Sequence, residues 1–342
     1  MPHHAYRRGL FAIACLALPA LGHASGQFAF GANGPNAADA RLYNDGTYTT
    51  PVNLQPFGAF SGGERVAACD VNGDGQDDLI VGAGPGGTPR VKVYDGRSGA
   101  LIQDFFAYTA TITVGIYVAA GDIDGDHRCD IVTGLGEGGP AEIKVFSGRT
   151  GAVLRDFLAF ANTYVGGVRV AAGDVNGDGH VDLIAAIASA ASPEVRVFDG
   201  VGGNTIRDFF AYAPAYSGGV YVAAADVNFD GYADIITGPG SGSLPQVREF
   251  SGLDNSEITS FYAFSTSFTG GVRVGAGDSD HDGIAEIVMV TGAGTPTEVK
   301  ITYATSPAPA DGFFPYVVSN DGGFVAVAPR NDVIFANGVE TP

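Results

Sequence analysis

An acidic nonapeptide occurs five times in this chain, with copies starting at Asp70, Asp122, Asp174, Asp226 and Asp278, each 52 residues after the one before. The copies read DVNGDGQDD, DIDGDHRCD, DVNGDGHVD, DVNFDGYAD and DSDHDGIAE. A fixed period of this size means that each repeat is one supersecondary unit, which buries its apolar surface only against its neighbours. The third repeat shows the unit. Residues 167–172 alternate as a short strand, A, that runs into the acidic loop at Asp174. Residues 181–186 form strand B, 194–198 strand C, and 205–212, which contain DFFAY, strand D after a Gly-rich turn. No repeat carries a helical periodicity. Four antiparallel strands per repeat predict an all-β chain built of β-propeller blades.

The two ends of the chain complete each other. Residues 322–328 (GGFVAVA) match 218–224 (GGVYVAA) at an offset of 104, which supplies a strand A, but Arg330-Asn331-Asp332 then replaces the acidic loop. At the other end, residues 30–35 resemble strand B and its loop at 81–86, residues 40–43 resemble strand C at 91–94, and residues 55–60 resemble the DFFAY strand. Five whole blades and one shared between the termini make six, so the expectation is a six-bladed propeller closed by pairing of N- and C-terminal strands. Closure of this kind removes free sheet edges. The expected division is a signal peptide at 1–24, a propeller at 25–330 and a tail at 331–342.

Oxygen-bearing side chains fall at loop positions 1, 3, 5 and 9, a spacing that suits a curled loop around a hard cation such as calcium. The candidate ligands are Asp70, Asn72, Asp74 and Asp78; Asp122, Asp124, Asp126 and Asp130; Asp174, Asn176, Asp178 and Asp182; Asp226, Asn228, Asp230 and Asp234; and Asp278, Asp280, Asp282 and Glu286. Loops one and three are the most complete, with glycine at positions 4 and 6 where the curl needs a left-handed backbone. Loop two has His127 at position 6, loop four has Phe229 at position 4, and loop five ends in the longer Glu286. An EF-hand is excluded, because position 12 is not acidic and strand residues follow directly. The bland alternative is a set of Asx-rich turns without metal.

The strand–loop–strand DVNGDGQDDLIVGAGPGG at 70–87, its four partners and the preceding GGVRVAAG pattern resemble the FG-GAP (VCBS-type) repeat family, known from integrin α-subunit propellers. The resemblance covers nearly all of the chain after residue 24, although propellers of that family commonly have seven blades. It implies up to five calcium ions and a fifth ligand in each loop, the main-chain carbonyl of position 7: Gln76, Arg128, His180, Tyr232 and Ile284.

Eighteen of the 37 acidic residues lie inside the nonapeptides, so the net charge of −19 reads as metal-site chemistry. No basic cluster favours nucleic acid. Arg7 and Arg8, the apolar run from Leu10 to Ala20, and Gly22-His23-Ala24 read as a secretory signal, and no later segment is long and apolar enough to span a membrane. The expectation is a secreted or periplasmic monomer. Export permits a disulfide between Cys69 and Cys129, but their non-equivalent places in neighbouring repeats make two separate thiols the simpler expectation.

Three further periodic sets stand out. Arg41, Lys92, Lys144, Arg196, Arg248 and Lys300 recur on strand C, with Asp104, Asp156 and Asp208 near the opposing positions of strand D, which predicts cross-strand ion pairs. Arg65, Tyr117, Arg169, Tyr221 and Arg273 recur on strand A, where interblade packing competes with anion binding. Tyr164, Tyr216 and Phe268 recur before strand A, either folded on the next blade or stacking on a sugar or peptide. No nucleophile, zinc or phosphate-loop motif accompanies them. The functional expectation is a non-catalytic binding or adhesion module for a protein or glycan; the alternative is a polysaccharide-acting lyase or hydrolase on the same scaffold.

Overall fold

The computed structural model describes residues 28–32, 39–43, 52–58, 60–278, 285–303, 311–313 and 320–327. The signal segment at 1–24, the tail at 331–342, and Asp280, Asp282 and Ile284 lie outside the described residues. The described chain is all β: twenty-four strands form six four-stranded antiparallel sheets. In the third blade, strands A to D are Val168–Gly173, Asp182–Ile187, Glu194–Phe198 and Thr205–Phe210. Each strand A lies against the strand A of the next blade, and the last lies against the first, which closes the ring.

Burial falls outward from strand B in the third blade. Strand B is buried along its whole length, strand C alternates over most of its length, and every residue of strand D is at least partly exposed. The sequence carries the same gradient: Leu183-Ile184-Ala185-Ala186-Ile187 is continuously apolar because both sheet faces meet a neighbouring blade. The predicted cross-strand partners are in register, with Lys144 opposite Asp156 and Arg196 opposite Asp208, and their charged ends lie 3.1 and 3.3 Å apart. The same basic groups also reach the preceding blade. Lys92 donates to the Pro56 carbonyl and Arg196 to that of Ala159, so these pairs tie blades together as well as strands.

The shared blade forms as expected, with Gly323–Val327 pairing to Phe28–Ala32. The register corrects the sequence alignment by one residue. Phe324 stands opposite Gly31, as Arg65 stands opposite Gly82 and Tyr221 opposite Gly238. Gly322, with φ 78°, takes the left-handed role of Gly219, with φ 84°. The C-terminal strand is therefore 103 residues, not 104, from its equivalent, and Phe324 completes the inner ring.

Cys69 and Cys129 form a disulfide, where two free thiols were expected. The end of loop two folds onto the start of loop one, and the Cys129 amide donates to the Asp70 carbonyl at 2.9 Å. Positions that are non-equivalent in the repeat are thereby adjacent in space. Closing a separation of 60 residues stabilises by about 4 kcal/mol in the chain-entropy picture.

Candidate metal loops and the central ring

The first four acidic loops share one construction. The Asp70 carboxylate accepts the amides of Gly73, Asp74 and Gly75 at 2.7, 3.1 and 2.8 Å. Asp122, Asp174 and Asp226 accept the equivalent three amides. The curl survives where glycine is absent: His127 and Phe229 both hold φ 65°. That conformation is costly for a residue with a Cβ and persists only where the surroundings impose it.

Position 9 has a second task that its spacing did not reveal. Asp182 Oδ2 accepts the amides of Val175 and Asn176 at 3.0 and 3.2 Å, while Oδ1 accepts the Gly200 amide from the turn between strands C and D at 2.8 Å. Asp78, Asp130 and Asp234 latch Gly96, Gly148 and Gly252 in the same way. These turn glycines are spaced by the period too. A Cβ on Gly148 would lie 1.9 Å from the Cys129 carbonyl oxygen, so the close approach admits no side chain. Burial pushes the position-9 carboxyls up, to about 6 for Asp78, Asp130 and Asp182 and about 7 for Asp234, against the amide bonds that favour the ionised form.

Among the described residues, the acidic groups converge in loop two, where ligand oxygens of Asp122, Asp124 and Asp130 all lie within 4.8 Å of one another. Two oxygens on opposite sides of one calcium ion, each about 2.4 Å from it, would be about 4.8 Å apart, so this trio fits a shared cation. The sequence had ranked loops one and three first. In those loops and loop four an asparagine occupies position 3, and its amide nitrogen binds a loop carboxylate: Asn72 to Asp78, Asn176 to Asp178, Asn228 to Asp234. Asp74, Asp178 and Asp230 at position 5 accept the amides of Gln76, His180 and Tyr232, and Asp126 accepts that of Arg128. Asp278 and Glu286 are buried at the two ends of loop five.

Strand A builds a different cluster around the axis. Arg65, Tyr117, Arg169, Tyr221, Arg273 and Phe324 alternate, and each guanidinium lies over two rings. Arg169 is 3.6 Å from the Tyr221 centroid and 5.5 Å from that of Tyr117. Glu137, from the loop between strands B and C, accepts Tyr117 Oη at 2.7 Å and Arg169 Nη2 at 2.8 Å. Sequence periodicity located five members of this ring; Glu137 breaks the period and had no signal. Tyr164, Tyr216 and Phe268 are half-buried against Phe160, Tyr212 and Phe264, edge to face, and the Tyr164 hydroxyl donates to Ser189.

The FG-GAP repeat family matches residues 62–101, and the FG-GAP-like repeat family matches residues 174–237. A protein of unknown function from Bacteroides caccae is similar in structure, with TM-score 0.53 and 10% identity over 89% of this chain and 99% of that one. The rhamnogalacturonan lyase YesW is similar with TM-score 0.43 and 17% identity over 73% of this chain and 50% of that one, so this chain spans half the lyase's length. The V. cholerae biofilm matrix protein Bap1 is similar with TM-score 0.39 and 19% identity over 73% of this chain and 39% of that one. At such identities the likeness concerns the fold.

Proposed function

This chain is a propeller of FG-GAP-type repeats, and we propose that it works as an exported, calcium-stabilised binding module for a protein or glycan rather than as an enzyme. The observation that carries the calcium reading is loop two, where three carboxylates share one small volume and His127 holds a left-handed backbone. Like charges confined in this way repel unless a cation neutralises them. Asp122, Asp124 and Asp130 would hold the ion with help from Asp126, and the equivalent residues would do so in the other loops. Calcium supplies charge neutralisation and cross-links the loop; it has no catalytic task here.

Three observations support a binding role. The described acidic loops follow strand A, on the face opposite the cavity lined by Ser189 and Ser241 between strands B and C. The carboxylates of the ring and of the loop ends are engaged: Glu137 with Tyr117 and Arg169, and the position-9 aspartates with backbone amides. The disulfide suits an oxidising compartment. An array of glycans and proteins, probed with and without calcium and followed by product analysis, tests the reading. Saturable, calcium-dependent binding without turnover is the expected result; cleavage of a bound polysaccharide by the purified protein would establish the enzyme instead.

A further inference from the structure

The central ring repeats the same pair of groups at two junctions and completes only one of them. At the first, the Glu137 carboxylate bridges the Tyr117 hydroxyl and the Arg169 guanidinium. Tyr221 and Arg273 form the second pair, 104 residues further on, and the residue 104 positions after Glu137 is Ser241. Serine is too short to make the bridge. In its place is a cavity of about 330 Å³, open at the face opposite the acidic loops and lined by Ser241, Tyr221, Arg273, Arg169, Ser189 and Glu137 among others.

Glu137 also lines this cavity, but its carboxylate is bonded to Tyr117 and Arg169, and among the described residues no carboxylate bonds Arg273. Arg273 is 7% exposed, and among the described residues its Nε and Nη1 are buried without a hydrogen-bond partner; the same atoms of Arg169 are also unpartnered, but Arg169 Nη2 donates to Glu137. The company of Arg273 among the described residues is the rings of Tyr221 and Phe324. The phenols record the difference. Burial pushes both up; Tyr117, with Glu137 beside it, stays well above its ordinary value, whereas the Arg169 and Arg273 guanidiniums hold Tyr221 below it. At the third junction Phe324 has no hydroxyl to offer, and Arg65 Nη1 donates to the Gly62 carbonyl. Three guanidiniums therefore meet one carboxylate among the described residues of the ring. Ring faces compensate part of the excess, but a buried cation still favours an anionic partner.

We propose that the cavity beside Tyr221 and Arg273 binds the carboxylate of a ligand, which would stand to that pair as the Glu137 carboxylate stands to Tyr117 and Arg169. A planar carboxylate matches the guanidinium fork and accepts the phenol as well, and the cavity has room for a group of monosaccharide or dipeptide size. The inference rests on the reading of the chain as a binding module and names the chemistry of its ligand.

The test is a calorimetric titration of the calcium-loaded full chain with two free acids, D-glucuronate and N-acetyl-alanyl-alanine, and with their methyl esters. Saturable binding of at least one acid is expected, weakened at least about tenfold in its ester and in Arg273→Gln, because the charge-assisted pair is lost. Which acid binds shows whether the carboxylate comes from a sugar or a peptide. Ser241→Glu should fill the site from within, abolishing binding and raising Tm; Ser241 is exposed, so this variant keeps its fold. Absence of binding by both acids, equal binding of acid and ester, or unchanged binding in Ser241→Glu would each overturn the proposal. A protein that binds neither acid yet still melts in a calcium-dependent way would defeat this inference alone.

Discussion

The Asp182 carboxylate accepts the Gly200 amide at 2.8 Å, so a residue of the acidic loop fixes the turn between strands C and D of the same blade. With the amides of Val175 and Asn176 it satisfies three backbone donors from a fully buried position. Position 9 is thus a structural latch whether or not an ion is present. Asp182→Ala should cost about 3 kcal/mol or more even in excess chelator, because buried donors lose their acceptor at about 1–3 kcal/mol each. Asp178→Ala, at an exposed position, should cost little in chelator and show its effect only with calcium. Urea unfolding of both variants with and without chelator separates the roles; equal losses confined to calcium would show that position 9 is a ligand and nothing more.

Glu64 is the least expected residue of the core. It begins strand A of the first whole blade, where the next four blades carry Ile116, Val168, Val220 and Val272, all fully buried. Among the described residues both of its carboxyl oxygens are buried without a hydrogen-bond partner, and burial, reinforced by Asp39, pushes it from 4.5 to about 8. A carboxyl raised on folding stabilises fully below its unfolded value and loses that contribution as pH rises through the folded one. Between those limits the loss is on the order of 5 kcal/mol, at about 1.4 kcal/mol for each pH unit. In saturating calcium, wild type should therefore weaken between about pH 5 and pH 8.5 relative to Glu64→Gln, and Glu64→Val should be the most stable of the three at the higher pH. Parallel pH profiles for wild type and Glu64→Gln would contradict this.

Cys69 and Cys129 join two acidic loops across a blade boundary. Reduction, or Cys129→Ser, should lower stability by about 4 kcal/mol without changing the far-UV dichroism of the folded protein. Free-thiol titration of the native protein checks the bond directly, and two reactive thiols would refute it.

The sequence displayed whatever recurs with the period. Strand order, the blade shared between the termini and five of the six ring positions follow from residues such as Asp174, Gly322 and Arg169, which return at nearly constant intervals because each blade meets the same neighbours. What breaks the period stayed hidden. Glu137 and Ser241 occupy the same place in two blades and do opposite things, and only the folded ring sets them beside Tyr117 and Tyr221. The disulfide was obscured for the same reason, since it joins unlike positions of two repeats. Position 9 was legible as an oxygen ligand, but its hold on a turn 18 residues away depends on the blade having formed.

The central claim is that the acidic loops hold calcium and that the fold depends on it. Melting of the purified protein in excess EGTA, in calcium and in magnesium, with metal analysis of the same sample, tests this most directly. A single site at a hundredfold excess over its Kd contributes about 2.7 kcal/mol, and further sites add to it. The expected result is co-purifying calcium, a large fall in Tm with EGTA, recovery with calcium and little with magnesium, which demands stricter octahedral geometry. Asp122→Ala should reproduce part of the fall. A melting curve that ignores EGTA, in a protein that contains no calcium, would contradict the account and reduce the loops to metal-free turns.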